Sequence, residues 1–187
     1  MAMPDKISPD KVSPKQVSTD KVGTEHQILM NRAWAAAAAV PDPEVPVVTV
    51  ADLGILREIR IEADGTPVAL VTPTYSGCPA TKTIEEDVLA AMLNAGLANA
   101  RVQTVLSPAW TTDWLTQEGR EKLRAYGIAP PQQGTRSKRA LFGQDLVPCP
   151  HCGSKQTERV SEFGSTPCKA LYRCNDCREP FDYFKCF

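Results

Sequence analysis

One loop organises this sequence: Val71-Thr72-Pro73-Thr74-Tyr75-Ser76-Gly77-Cys78-Pro79-Ala80-Thr81. The β-branched and apolar run Val68 to Thr72 predicts a strand that leads into it, and a helical pattern begins near Thr81. A thiol placed between a strand end and a helix start meets unpaired backbone N–H groups and the positive end of the helix dipole. Both favour the thiolate of Cys78, the reactive and metal-binding form. The alternative is that Cys78 is a small buried hydrophobe, as free cysteines often are.

The segments around this loop predict an α+β domain over residues 25–131, with a small three-stranded sheet and flanking helices. In chain order we expect a helix from Thr24 to about Ala39, strands at Ile55 to Ile61 and Val68 to Thr72, a helix from Thr81 that ends at Gly96, a strand at Ala100 to Leu106, and a helix from about Thr112 to Tyr126. Asp64-Gly65-Thr66-Pro67 is the turn of a β-hairpin, and Thr24 with Gln27 predicts a capping box. Trp110 and Trp114 are expected to pack in the core.

Three prolines in six residues, Pro41 to Pro46, predict a stiff, extended segment after the first helix. Two carboxylates, Asp42 and Glu44, lie on it. They are either part of a functional site or a solvated turn in which Asp42 caps the local backbone.

The two segments outside the predicted domains are low in apolar residues. Residues 5–24 repeat loosely every five residues with one apolar residue per unit, which predicts a disordered tail over residues 1–24. Residues 132–146 read as a linker, with a partner-binding basic patch as the alternative.

Composition bounds the class of protein. Apolar residues make up 42% of the chain and charged residues 23%, both typical of globular proteins. The longest apolar run, Ala33 to Val40, is too short to cross a membrane, and the N-terminus has no apolar signal core. We therefore expect a cytoplasmic protein without a membrane partner, in which seven cysteines favour metal binding over disulfides.

Two C-x2-C pairs, Cys149-Pro-His-Cys152 and Cys174-Asn-Asp-Cys177, are separated by 21 residues. Paired knuckles of this kind present four thiolates to one ion, each pair on a tight turn whose N–H groups can reach the sulfurs. We predict a structural zinc site in a ribbon of short antiparallel strands over residues 147–187. Zinc is favoured over iron, although thiolate ligands distinguish these two metals poorly. So small a module would fold largely on its metal.

The tail contains three further candidate residues. His151 is interpreted as a spectator inside the first knuckle. Cys168 and Cys186 are either packing thiols or, for Cys168, a zinc ligand in place of a knuckle cysteine.

The ribbon carries more aromatic rings than so small a core can hide: Phe163, Phe181, Tyr183 and Phe184. This excess favours a docking surface for a partner over a ribbon that merely folds.

Three stretches together resemble the metal–sulfur cluster assembly family: Asp42-Pro-Glu-Val-Pro-Val-Val, Asp52-Leu-Gly-Ile-Leu, and Thr72-Pro-Thr-Tyr-Ser-Gly-Cys78-Pro-Ala. The resemblance covers roughly residues 25–130. It implies a small α/β domain that serves iron–sulfur protein maturation. It also implies that Cys78 is the reactive cysteine, with Asp42, Glu44 and Thr72 as its neighbours, and that iron or an iron–sulfur cluster is held transiently.

The tail, from Cys149-Pro-His-Cys152-Gly-Ser through Phe163-Gly-Ser-Thr-Pro-Cys168-Lys-Ala to Phe184-Lys-Cys186, is similar to the family of maturation subunits of bacterial phenylacetyl-CoA oxygenases. That resemblance implies an accessory role in building the metal centre of the complex in aerobic phenylacetate degradation. Its oxygenase and reductase subunits are the implied partners. The alternative is a structural or electron-transfer subunit of the oxygenase itself. The sequence also leaves a homodimer open.

Other function classes have little support. The chain has two histidines, no Ser-His-Asp arrangement, no phosphate-binding Gly-rich loop and no carboxylate–histidine set for a di-iron centre. Independent catalysis is therefore not expected. Residues 131–187 carry nine basic and six acidic side chains, a mild excess that does not predict nucleic-acid binding.

Overall fold

The computed structural model describes residues 19–131 and 147–185 and has the predicted α+β architecture. The helices are α1 (Thr19–Ala38), α2 (Thr81–Asn94) and α3 (Gln117–Ala125). The strands are β1 (Leu56–Ile61), β2 (Pro67–Val71), β3 (Arg101–Thr104), β4 (Ile128–Ala129), β5 (Thr157–Ser161), β6 (Lys169–Cys174) and β7 (Pro180–Phe184). The predicted linker, most of the predicted disordered tail and Cys186 lie outside the described residues.

The first sheet has the order β1-β2-β3, with β2 in the middle. β1 and β2 form the predicted antiparallel hairpin, and β3 runs parallel to β2 after the crossover through α2. All five residues of β2 are buried, as expected for a central strand covered by helices. α2 buries Ile84, Val88 and Met92 against the sheet and ends as predicted, with Gly96 in a left-handed conformation. The Cys78 loop thus leaves the carboxyl end of the central strand.

Two predicted helix boundaries are wrong. α1 begins at Thr19, so Thr24 lies inside the helix, and the side chain of Gln27 donates to Asn31 Oδ1 instead of forming a capping box. The predicted helix from Thr112 is divided. A short 3-10 turn spans Thr112–Trp114, and α3 begins only after Thr116, whose Oγ1 accepts from the N–H of Gly119 at 2.9 Å. A hydroxyl that caps a helix holds its own residue outside it.

The sequence predicts an extended proline-rich segment. In the structure this segment instead turns back on itself. The N–H of Asp42 donates to Val48 O, and the Asp42 Oδ1 atom accepts from the N–H groups of Glu44 and Val45 at 2.9 and 2.8 Å. Asp42 is 7% exposed, whereas Pro41, Pro43 and Pro46 are exposed, so the carboxylate is buried while the rim of the turn is solvated. The alternative in which Asp42 caps the local backbone is confirmed. The carboxylate satisfies two backbone donors at once and therefore outweighs the preference of the prolines for extended chain.

The ribbon forms a second, four-stranded sheet with the order β4-β7-β6-β5. β5, β6 and β7 are antiparallel, as predicted. β4 was not predicted: it comes from the segment directly after α3 and pairs in parallel with β7, Ile128 opposite Asp182 and Ala129 opposite Tyr183. The sheet of the ribbon therefore includes a strand from the N-terminal part of the chain.

A ring at the end of β7 ties the ribbon to the first domain. Phe184 is 1% exposed and belongs to the same apolar core as the residues of β1, β2 and α2. Its ring meets the edge of Trp110 at a centroid distance of 6.4 Å, and the Trp110 indole N–H donates to Leu53 O at 2.8 Å. The placement of Trp110 in the core is confirmed.

The docking surface predicted from the ribbon rings is therefore wrong for two of them. Phe184 packs against this same chain, and Phe181 stacks on Tyr172 inside the ribbon. Phe163 stays 56% exposed beside the ammonium group of Lys185. The ribbon carries more aromatic rings than its own core can bury, and the first domain buries one of them, Phe184.

We expect Phe184→Ala to destabilise the whole chain and not the ribbon alone. Removing a fully buried phenylalanine costs about 3–5 kcal/mol. In metal-loaded protein, the free energy of unfolding measured by denaturant should fall by that amount for probes in both domains. Phe163→Ala, the same change at an exposed position, should cost under about 1 kcal/mol. A first domain that unfolds unchanged in Phe184→Ala would contradict the shared core.

Candidate functional site

Four cysteines of the ribbon converge on one point. Cys149 and Cys177 bring their Sγ atoms to 3.7 Å, Cys152 and Cys174 bring theirs to 3.6 Å, and all four sulfurs lie within 4.8 Å of one another. A tetrahedral ion with Zn–S bonds of about 2.3 Å requires sulfurs about 3.8 Å apart. The arrangement therefore fits one metal ion with every position filled by protein, which is the geometry of a structural site.

The knuckle turns support the sulfurs as predicted. The N–H of Ser154 donates to Cys152, those of Asp176 and Cys177 to Cys174, and that of Glu179 to Cys177. Such bonds spread the charge of these three thiolates and orient them as ligands.

Cys168 is not a zinc ligand, so that alternative is wrong. Among the residues that the structure describes, the metal-ligating group consists of the four knuckle cysteines and includes neither Cys168 nor His151. Cys168 instead faces the first domain. Its S–H donates to Glu44 Oε2 at 3.3 Å, and its sulfur lies 3.1 Å from Thr166 Oγ1.

Cys78 lies in the loop between β2 and α2 and is half-buried. Its N–H donates to Tyr75 O at 3.2 Å, and its carbonyl accepts from the Thr81 hydroxyl at 2.9 Å, so the loop is closed around it. Cys78 packs on the rim of the main core together with Tyr75. The thiol is therefore neither sealed in hydrocarbon nor fully in water.

The expectation of a favoured thiolate at Cys78 is wrong. Burial raises the pKa of Cys78 above its ordinary value, and the carboxylates of Glu44 and Asp42 add to that rise. The N–H of Ala80 at the helix start lowers the pKa, as the dipole argument requires, but the effect is smaller. The thiol form is therefore favoured at neutral pH.

The neighbouring groups respond to the same crowding of negative charge. Burial raises the pKa of Cys168 to about 12, and Glu44 adds to the rise. The hydrogen bond with Thr166 acts in the opposite direction and lowers the pKa. Burial, then Cys78, Glu44 and Cys168, raise the pKa of Tyr75 to about 12. Burial likewise raises the pKa of Asp42, although Lys169 of the ribbon opposes that rise. Burial and the neighbouring carboxylates thus oppose ionisation of both thiols and of the Tyr75 hydroxyl.

Family models match both parts of the chain. An iron–sulfur cluster assembly protein model matches residues 32–106, and a PaaD zinc beta ribbon domain model matches residues 133–185. The chain is also 49% identical over 157 residues to a protein of Escherichia coli strain K12 that is named as a putative subunit of the 1,2-phenylacetyl-CoA epoxidase. That match covers 84% of this chain and 93% of the relative. The chain belongs to the PaaD family.

Two further comparisons concern only part of this PaaD family member. An Fe-S protein maturation auxiliary factor of Porphyromonas gingivalis is 34% identical over 80 residues, covering 42% of this chain and 75% of that protein. A crystal structure of a domain of unknown function, DUF59, from Bacillus anthracis has 24% identity and a TM-score of 0.50, and covers 54% of this chain and 96% of that chain. The latter likeness supports the fold.

The structure brings together three of the four residues that sequence reasoning proposed for the thiol site of this PaaD family member. Asp42 and Glu44 lie on one turn, and both act electrostatically on Cys78. Thr72 lies at the end of β2, 2% exposed, and its N–H donates to Ile55 O at 2.8 Å. Thr72 therefore lies where β2 ends and the Cys78 loop begins.

Sequence reasoning missed Cys168, Tyr75 and Lys169 as residues of this site. Tyr75 had a signal, since it stands three residues before Cys78 in the loop itself. Cys168 had a weaker one: it is a ribbon cysteine outside both C-x2-C pairs. Lys169 had none, because a lysine in a strand gives no indication that its charge will face a carboxylate more than 100 residues away.

No helix in the described parts of the chain combines the length and apolar character needed to cross a bilayer.

Cys149→Ser should abolish the ribbon metal. Removing one of four thiolates opens the site, so metal analysis should find about one zinc ion per chain in the wild type and little in the variant. His151→Ala is the matched control within the same knuckle and should keep its zinc. Full zinc retention by Cys149→Ser would contradict the ligand set.

Alkylation of Cys78 in the zinc-loaded protein should keep accelerating above neutral pH. Because the pKa of Cys78 is raised, its thiolate fraction and its labelling rate should rise about tenfold per pH unit up to and beyond about pH 8.5, the ordinary pKa of a thiol. Peptide-resolved mass spectrometry, with glutathione as the reference thiol, measures the rate. A rate that levels off below about pH 8.5 would contradict the raised pKa.

Proposed function

We propose that this chain is a non-catalytic accessory factor that assembles an iron–sulfur or other metal centre of a multicomponent phenylacetyl-CoA epoxidase. In this proposal Cys78 is the working thiol, beside Asp42, Glu44 and Thr72, and iron or a cluster is its cargo. The partners are the oxygenase and reductase subunits of the same complex.

The relatives support the two halves of this proposal separately. The Escherichia coli relative is named as a subunit of the epoxidase and matches over nearly its whole length. The Porphyromonas gingivalis relative is named as an Fe-S protein maturation auxiliary factor. A chain that is similar both to an epoxidase subunit and to a maturation factor fits a maturation component that serves one oxygenase.

The observation that carries the proposal is the contrast between the two sulfur sites. The ribbon site is closed, with four sulfurs at tetrahedral spacing. Cys78 is half-buried, and its neighbours are carboxylates. A closed four-ligand site keeps its metal, whereas a site with few ligands and open positions can release it. Delivery therefore suits the Cys78 site and structural support suits the ribbon.

A structural or electron-transfer subunit of the oxygenase is the competing function. Four thiolates also suit iron, and an iron-loaded ribbon would absorb visible light and change colour on reduction. A purified protein that is colourless and contains zinc would exclude electron transfer through the ribbon.

Cys78→Ala should leave the fold intact and lower the metal loading of the epoxidase. The epoxidase subunits are co-expressed with the wild-type chain, with Cys78→Ala, or without the chain. Iron and acid-labile sulfide are then measured in the purified complex, together with its activity. We expect Cys78→Ala to give the low loading seen without the chain, because the substitution removes the thiol that would hold the cargo.

Ser76→Ala is the matched control, since Ser76 is an exposed residue of the same loop. It should support full loading. Zinc content and circular dichroism of each variant test that the fold is retained. A fully loaded, fully active epoxidase with Cys78→Ala would remove Cys78 from the mechanism.

A further inference from the structure

We propose that Cys168 of the ribbon is a second thiol ligand of the Cys78 site, so that Cys78, Cys168 and Glu44 together hold one ferrous ion. The inference rests on the proposed function, because it takes Cys78 as the residue that handles iron. It adds that the site is shared between the two domains and that the ribbon supplies one of its ligands.

The position of Cys168 is the first observation. Its Sγ atom lies 3.3 Å from Glu44 Oε2, although the two residues are 124 apart in the chain. Cys168 is 5% exposed and is part of the core of the first domain, whereas its ribbon neighbours Ala170 and Tyr172 belong to the separate core of the ribbon. The Cys168 side chain therefore packs in the core of the first domain and not in that of the ribbon.

The ribbon holds Cys168 in that place through its backbone. The Cys168 carbonyl accepts from the N–H of Lys185 at 2.9 Å, next to the Phe184 that is buried in the shared core. Thr166 lies against its sulfur at 3.1 Å. A thiol fixed by strand pairing and by a buried ring is preorganised as a ligand, which lowers the cost of binding.

Cys78 lies within electrostatic reach of the same carboxylates. The charges of Glu44 and Asp42 act on both thiols, and Tyr75 interacts with Cys78, Glu44 and Cys168. Cys78 and Tyr75 also pack against the core cluster that contains Cys168. The Cys168–Glu44 pair and Cys78 thus lie at the same apolar core.

The arrangement is open where the zinc site is closed. Within the described ranges, the knuckle cysteines alone bring ligand atoms from three or more residues within 4.8 Å of one another. Binding must therefore draw Cys78 towards Glu44 and Cys168. On binding, Fe²⁺ stays ferrous and releases three of its bound water molecules, each thiol gives one proton to solvent, and two Fe–S bonds and one Fe–O bond form. Positions left to water allow a receiving protein to take the ion.

The ligand set suits iron better than harder or softer cations. Two thiolates exclude Mg²⁺ and Ca²⁺, and one carboxylate makes the site harder than an all-sulfur copper(I) site. Zn²⁺ would bind more tightly than Fe²⁺ at equal concentration by the general order of affinities. The ribbon must therefore be filled with zinc first, so that iron added afterwards reports on the second site.

The test counts the sulfur neighbours of iron in the whole chain. Protein with one zinc ion per chain receives one equivalent of Fe²⁺ without oxygen, and X-ray absorption at the iron edge gives the ligands of iron without interference from zinc. We expect two sulfur neighbours and oxygen or nitrogen neighbours in the wild type. Cys168→Ser and Cys78→Ser should each reduce the sulfur count from two to one, and the double variant to none.

Matched controls separate ligands from bystanders. Ser165→Ala changes an exposed residue of the Cys168 loop and should keep two sulfurs. Glu44→Gln should weaken Fe²⁺ binding, whereas Glu58→Gln, on the exposed side of β1, should not. The zinc content of each variant shows whether the ribbon is folded, and the wild-type count needs no substitution at all.

The outcomes distinguish this inference from the proposed function. No iron bound by the zinc-filled wild type, one sulfur neighbour in the wild type, or two in Cys168→Ser would overturn the role of Cys168. If Cys78→Ser lowers the count and Cys168→Ser does not, the proposed function stands and this inference falls. If Cys78→Ser leaves iron binding and its sulfur count unchanged, both fall.

Discussion

The burial of Phe184 in the core of the first domain determines where the ribbon lies, and much of the structure depends on that contact. The ring meets Trp110, which is itself fixed by a hydrogen bond to Leu53 O. β4 reinforces the contact by adding a strand to the sheet of the ribbon directly after α3. A ribbon that were merely tethered would leave Cys168 in water. Seated in this way, it brings Cys168 to Glu44.

The chain uses one element, sulfur, for two purposes that differ in how completely the ligands surround the ion. Four knuckle thiols at tetrahedral spacing bind an ion as part of folding, which a ribbon of this size needs. Burial, together with the nearby carboxylates, raises the pKa values of Cys78 and Cys168, and in our proposal these two thiols bind a metal ion only transiently. The buried Asp42 carboxylate fixes the turn that carries Glu44, because it accepts hydrogen bonds from two backbone N–H groups.

Local signals carried most of what could be predicted. The C-x2-C pairs, the hairpin around Gly65 and the spaced apolar face of α2 are each decided by residues close in sequence, and each was predicted. The errors arose where a distant or competing contact decides. Asp42 turned a segment that its prolines would extend, Thr116 divided a predicted helix, and the burial of Phe184 required a partner surface more than 70 residues earlier in the chain. The contact between Glu44 and Cys168 follows from that burial, and no spacing in the sequence indicates it.

The claim on which the account depends is that the ribbon is seated on the first domain in solution, with Phe184 against Trp110. A nuclear Overhauser measurement on the zinc-loaded chain tests it most directly, because it reports proximity between the ring protons of these two residues. The account predicts cross-peaks between the Phe184 ring and the Trp110 indole. Ring protons of Phe184 that show contacts only within the ribbon would contradict it.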